Sequence, residues 1–420
     1  EQLANGQMIT AWRDRENPWN IDGKILDATG SIVMSLPNLV SWSSNDSIRE
    51  EFNIAALPDG GFAITHQESD AGGNYNAYLT VFNSDGSERS AKQTLHSNLD
   101  GNQQQPNLVV LANGNIVTAW HSTVDDNDTT SSETDIFTRT FSSNGEALTT
   151  TEKLNTEVSY NVAHVDLTVS AAGQILAVWE SSSGTDASSE VHATIFSTAS
   201  SSSSSGTITT PQKVGSEFQV NTYTTGDQTR PDITALSGGG FVATWMSQTA
   251  SQDGDIHGQL YDPDGNAVGT EFTINTETNY GQAYQSVTSL SDGGFVTTWS
   301  SYSQDGAYGK WGVYGQRHDA TGTLVGSEFL INTTTTNDQK HPAVASLSDG
   351  GFVVTWEAAG QDGDGNGIYG QRYDSMSNAT GTEFQINTYT TADQANSSIT
   401  SLKDGGFVVT WASNGQDGSG

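Results

Sequence analysis

Apolar positions along this chain fall in short runs, each closed by Gly, Asp or Asn, which points to short strands joined by tight turns rather than to helices. The clearest run, Pro342 to Trp356, reads PAVASLSDGGFVVTW. AVASL predicts one strand, the Asp-Gly pair a hairpin turn, and GFVVTW a second strand. Phe352, Val354 and Trp356 fall on one face of that second strand, with Val353 and Thr355 on the other. Bulk on both faces predicts a strand buried on both sides. The polar stretch QDGDGNG then leads to a third strand, IYGQRYD, and another turn to a fourth, EFQINT.

The same element recurs. Its second strand ends at Trp12, His66, Trp120, Trp179, Trp245, Trp299, Trp356 and Trp411, at successive spacings of 54, 54, 59, 66, 54, 57 and 55 residues. Four antiparallel strands in about 55 residues predict a propeller blade. Immunoglobulin-like domains need about 100 residues and seven strands each, so they do not fit. The expected fold is therefore all-β, one β-propeller domain over residues 1–420. Two blade counts stay open: eight with the last incomplete, or seven. Both ends fall inside a repeat, so the sequence reads as a fragment of a longer chain. Gly258, Gly315 and Gly370, in the third strands, are expected to make room for the large residue that ends the second strand. A nearly all-serine run, Ser197 to Gly206, reads as a loop insertion in the fourth repeat and explains the 66-residue spacing.

Composition narrows the partners. Fifteen basic residues against 49 acidic ones leave a formal charge of −34, which repels nucleic acid and anionic membranes. No segment has the run of apolar residues needed for membrane insertion. The absence of cysteine excludes a disulfide framework and a thiol nucleophile.

Blade topology puts two polar motifs on one rim. One is Gln-Asp-Gly at Gln252, Gln304, Gln361 and Gln416; the other is Asp-Gln at Asp227, Asp338 and Asp393. Asp362, Asp364 and Asn366, with Gly367 next, match the first half of a calcium loop, in which alternating oxygens wrap a hard cation. Asp253 and Asp255 match it in part, and Tyr373 stands where the twelfth-position carboxylate would be. Calcium (Ca2+) is thus the one cofactor the sequence suggests, against plain hydrated turns capped by Asp. The eight histidines show no metal-binding spacing, and no serine elbow or phosphate loop is present. Arg317 and Arg372 occupy equivalent places in two repeats, which predicts a structural pairing with a loop Asp. Sequons at Asn45, Asn127, Asn332, Asn378 and Asn396 are no more than expected of so Asn- and Thr-rich a chain.

The wording INTYTT-x-DQ…SLSDGGFVVTW…QDGDG-x-GIYGQRYD…EFQINT resembles the roughly 50-residue repeats of large bacterial secreted proteins of the hemolysin-type calcium-binding and adhesin-like kind. The resemblance is close from Ser216 to Trp411. The calcium-binding nonapeptide G-G-x-G-x-D of such proteins is absent here. It implies an extracellular or cell-surface location and a non-catalytic structural or adhesion module, not an enzyme, that binds glycan, extracellular matrix or its own copies. Near-identity of the later repeats argues the same way, since an active site needs one blade to differ. The alternative is a carbohydrate-active propeller enzyme, a glycosidase or polysaccharide lyase. Its pocket is expected in the divergent repeats 1–4, where Trp19, Trp42, His66, His121 and His164 depart from the pattern.

Overall fold

The computed structural model describes residues 1–14, 20–41, 52–70, 73–96, 101–123, 134–156, 160–183, 188–197, 212–213, 215–248, 254–306 and 308–416. Trp19, Trp42, Asn45, Asn127, Gln252, Asp253 and nearly all of the serine run lie outside them. The described residues form thirty strands and no helix. They divide into two compact units, Glu1–Gln219 and Val220–Gly420.

The first unit holds four antiparallel sheets. Met8–Asp14, Asn20–Leu26 and Ile32–Ser41 make a three-stranded one. Phe52–Ala56, Phe62–Ser69, Tyr75–Phe82 and Gln93–Thr94 make the next, and Gln103–Val110, Ile116–Ser122, Asp135–Phe141 and Glu152–Lys153 the third. The fourth begins with Tyr160–Val169, Gln174–Ser183 and Ser189–Ser197, the last pairing with both Gln212–Lys213 and Phe218–Gln219.

The second unit repeats the plan. Its full sheets are Gln228–Ala235, Phe241–Gln248, Gly254–Tyr261, Ala267–Thr273; then Gln282–Ser289, Phe295–Tyr302, Trp311–His318, Leu324–Leu330; then Gln339–Ser346, Phe352–Ala359, Asn366–Tyr373, Ala379–Gln385. Gln394–Ser401 and Phe407–Ser413 close it as a two-stranded sheet. The unit is thus built of four-stranded antiparallel sheets in the order of the chain, as the repeat predicts.

The Asp-Gly-Gly turn shows why its residues are needed. Gly350 has φ 87°, a left-handed conformation natural only to glycine, and a Cβ on Gly351 would run into the Tyr373 carbonyl. Asp349 caps the turn through the Gly351 N–H at 3.0 Å and pairs with Arg372 at 2.7 Å. Arg317 pairs with Asp292 in the same way. Both arginines are structural, as their equivalence predicts.

Second strands are buried along nearly their whole length, as bulk on both faces requires. Phe352, Val354 and Trp356 pack with Leu290, Val296, Val313 and Ile331 of the preceding sheet. The third-strand glycines serve a different neighbour from the one expected. A Cβ on Gly370 would press on Phe384 at 3.0 Å and Ile386 at 3.1 Å, and Gly315 and Gly258 face Phe329 and Phe272. They make room for the Phe and Ile of the fourth strand, not for the tryptophan.

The tryptophan has its own partner. Indole Nε1 donates to a buried Gln Oε1 seventeen residues earlier in Trp120–Gln103 (2.8 Å), Trp245–Gln228, Trp299–Gln282 and Trp356–Gln339 (3.0 Å each). Trp411–Gln394 repeats it at 3.2 Å. The Gln of the Asp-Gln motif is thus a core lock rather than a rim group. In the fourth repeat Val162 stands where the Gln would be, and Trp179 Nε1 has no partner among the described residues. Gln339→Ala should leave Trp356 Nε1 buried and unsatisfied, costing about 1–3 kcal/mol. An unchanged urea midpoint for that variant would show that the lock contributes nothing.

Consecutive repeats are also clasped. The carboxylate of each Glu-Phe pair reaches back to the Thr of the previous Ile-Asn-Thr or Val-Asn-Thr: Glu271 to Thr222, Glu328 to Thr276, and Glu383 to Thr333, each accepting the Thr N–H at 2.6 Å. Burial pushes Glu271 up, but hydrogen bonds from His257, Thr222 and Tyr223 outweigh it and hold the carboxyl at about 2.

Candidate active site

In six sheets the first strand slips register against the second, and the bulged residue is left-handed without being glycine. These residues are Gln105 (φ 50°), His164 (51°), Arg230 (54°), Tyr284 (59°), His341 (52°) and Asn396 (55°). Each lies two positions after the Gln of the tryptophan lock, or after Val162 in its place. Such backbones cost about 1–3 kcal/mol each, and bulges of this kind re-aim a side chain beside functional sites.

Within each unit the first strands of successive sheets lie side by side, so the bulges form a row. The preceding sheet often holds the bulge N–H. His341 N–H donates to Ser300 Oγ at 3.1 Å and Asn396 N–H to Glu357 Oε1 at 2.8 Å. In the first unit Gln105 N–H donates to Gln67 Oε1 at 3.1 Å, and His164 N–H to Gln105 Oε1 at 3.2 Å.

Three bulges of the second unit bring different chemistry together. The Arg230 guanidinium lies over the Tyr284 ring, 4.9 Å from its centroid, and the ring meets His341 edge-on at 4.3 Å. Glu357, buried on the strand after Trp356, sets Oε2 3.0 Å from His341 Nδ1. The contact is one of charge rather than a hydrogen bond, because His341 Nδ1 has no hydrogen-bond partner among the described residues. Arg230 is exposed, while Tyr284 and His341 are half-buried, so all three can be reached from solvent. The set offers an anion-binding guanidinium, a phenol and an imidazole.

The off-pattern residues of the first unit make three other groups. His164 lies at a bulge with Nδ1 3.1 Å from Glu180, and His121 Nε2 is 3.4 Å from Gln104 Oε1. His66 is packed in the tryptophan's place, as a blade-junction ring should be, with Nε2 2.9 Å from Glu68 and its ring 5.7 Å from that of Tyr78. Lys92 Nζ binds Glu68 Oε2 at 2.7 Å and lies over the Tyr78 ring at 4.3 Å. Burial pushes the His66 imidazole below its usual range. It also pushes Glu68 up, but His66 and Lys92 outweigh it and hold that carboxyl below its usual value.

The calcium-loop residues are engaged with their own backbone and with asparagine. Asp362 Oδ2 accepts from Asn387 Nδ2 at 2.8 Å, Asp364 Oδ2 from the Ala392 N–H at 3.2 Å, and the Asn366 N–H donates to Asp393 at 2.9 Å. Asp255 takes Asn275 Nδ2 at 2.8 Å, and Asp253 lies outside the described residues. Among the described residues no group of three or more His, Asp or Glu is placed to hold a metal ion.

No family model matches the chain, and no curated protein matches its sequence. Solved structures do resemble it. One is an ulvan lyase, a polysaccharide lyase, 9% identical, with 88% of this chain and 90% of that one covered at a TM-score of 0.53. Another is a puromycin hydrolase, 12% identical, with 91% of this chain covered at a TM-score of 0.51; this chain spans only 53% of its length. At such identities the likeness is one of fold, the propeller kind expected from the repeat.

The reading of a non-catalytic structural or adhesion module does not stand. Solved structures built on this fold and similar to this chain are enzymes, one of them carbohydrate-active. The argument from near-identical repeats fails for a physical reason. Identity falls on the core, lock, turn and clasp residues, whereas the bulge position holds six side chains of five kinds in six sheets. Among the described residues no helix is long and apolar enough to cross a membrane.

Proposed function

We propose that the chain is a secreted carbohydrate-active propeller enzyme, a polysaccharide lyase acting on uronate-containing chains. The sheets would be its blades, eight in number with the last incomplete in this sequence, or seven. The observation that carries the reading is the placement of Arg230, Tyr284 and His341 on left-handed bulges of three successive sheets, with the Tyr284 ring in contact with both of the others. β-Elimination needs these three groups. Arg230 binds the sugar carboxylate and stabilises the charge that spreads onto it. His341 Nε2 takes the proton from C5, and Tyr284 gives its hydroxyl proton to the glycosidic oxygen leaving C4. A C5–H and a C4–O bond break, C4=C5 forms, and solvent returns each side chain to its starting protonation state. Glu357, buried beside His341 and already accepting the Asn396 N–H, sets a negative charge next to the imidazole rather than acting as one of a hydrolase's two carboxylates.

The formal charge of −34 opposes a polyanionic substrate, which makes the Arg230 cation the more necessary. The test is incubation with a panel of acidic and neutral polysaccharides, read both as ultraviolet absorbance of unsaturated uronide and as new reducing ends. Both signals should appear with a polyuronate, faster as salt screens the repulsion. Reducing ends without the chromophore would mean hydrolysis, and neither signal on any polysaccharide would overturn the reading.

A further inference from the structure

The hairpin beside Tyr284 differs from its counterparts. Where the second and third strands of a sheet begin to pair, the fifth repeat has Gln248 opposite Gly254 and the seventh has Ala359 opposite Asn366. The sixth has Tyr302 opposite Trp311. Their rings meet edge to face at 5.2 Å, and the Trp311 ring stands in the same relation to Tyr284 at 6.3 Å. Both Tyr302 and Trp311 are only half-buried, unlike the fully buried Trp120, Trp245, Trp299 and Trp356 of the locks.

The connecting loop is built to hold this pair. Ser303, left-handed at φ 59°, takes the Lys310 carbonyl at 2.6 Å through its N–H and the Gly309 N–H at 2.8 Å through its hydroxyl. The Trp311 N–H donates to Asp338 Oδ1 at 3.2 Å, three residues before His341. The aromatic pair is therefore fastened to the segment that carries the imidazole.

On the lyase reading above, we infer that Tyr302 and Trp311 form a stacking subsite for a second pyranose ring of the substrate chain, next to the ring held by Arg230. The C–H face of a sugar is weakly positive and apolar, and it suits the electron-rich face of an indole. Nothing in the fold needs aromatics here, since Ala359 and Asn366 serve in the neighbouring sheet. The subsite makes the enzyme one that grips a chain rather than a single sugar.

The test is calorimetric titration of the Tyr284→Phe protein with a uronate tetrasaccharide and with the free uronate, in a background that needs no turnover. Adding Trp311→Ala should weaken the tetrasaccharide by about tenfold or more and leave the monosaccharide unchanged. Trp311→Phe should restore most of the affinity, which separates stacking from loss of the loop. Equal tetrasaccharide affinity with and without Trp311 would overturn the subsite even if the polymer is cleaved. Trp311-dependent binding with no polysaccharide cleaved would uphold the subsite and remove the lyase reading instead.

Discussion

Replacing His341 with asparagine, or Tyr284 with phenylalanine, should lower kcat on a polyuronate by about 10²–10⁴-fold, the range for loss of a general base or acid. These substitutions are chosen from the chain's own repeats. Asn396 holds the left-handed bulge one sheet further on, and asparagine tolerates that backbone better than most residues. Phenylalanine keeps the ring that meets His341 and removes only the hydroxyl. Arg230→Gln places in the fifth sheet the residue that Gln105 supplies at the same position of the third. Because Arg230 would bind the carboxylate in ground and transition states alike, its loss should raise KM as well as lower kcat. Melting temperatures should move little in all three. Full activity in the His341 and Tyr284 variants would exclude both as acid and base.

His318 should make the second unit acid-sensitive. It pairs with Phe295 where the other sheets place Phe82, Phe141, Phe196, Tyr261 or Tyr373. Its ring stacks on Phe295 at 4.8 Å, and neither nitrogen has a hydrogen-bond partner among the described residues. Burial pushes its pKa down from 6.5 to about 4. Below pH 6.5 the unfolded chain takes up a proton that the folded chain refuses, so this histidine's contribution to stability falls as pH drops and is gone near pH 4. A shift of that size corresponds to about 3 kcal/mol between pH 8 and pH 4. His318→Phe should abolish this part of the pH dependence and stabilise the fold most at low pH. Parallel urea titrations at pH 8 and pH 5 would show it; an equal change at both would exclude the histidine as the cause.

The fold was legible because its determinants repeat. The Asp-Gly-Gly turn, the two-faced second strand and the period together specify four antiparallel strands, and the structure has them. The paired roles of Arg317 and Arg372 follow from the same equivalence. Distance-dependent features were harder to read. Gln339 looks like a polar rim residue, and only the register of the strands places its amide under Trp356. Gly370 borders Phe384 because the two stand opposite each other where the third and fourth strands pair, a register the sequence alone does not print.

The candidate site was hidden by the repetition that revealed the fold. Divergence in the early repeats drew attention to His66 and His121, which the structure puts at packed positions. Yet a signal was present, two residues after each lock glutamine: DQTRP, GQAYQ, DQKHP and DQANS keep the Gln and vary Arg230, Tyr284, His341 and Asn396. A position that changes while its neighbours repeat is free of the scaffold. What could not be seen is that a bulge turns these side chains toward one another.

The most direct measurement is a crystal structure of the Tyr284→Phe protein with a bound uronate oligosaccharide. The sugar carboxylate is expected on the Arg230 guanidinium, with C5 facing His341 Nε2 at about 3–3.5 Å, the reach of a near-attack geometry. An oligosaccharide seated elsewhere, with Arg230 and His341 both untouched, would contradict the account.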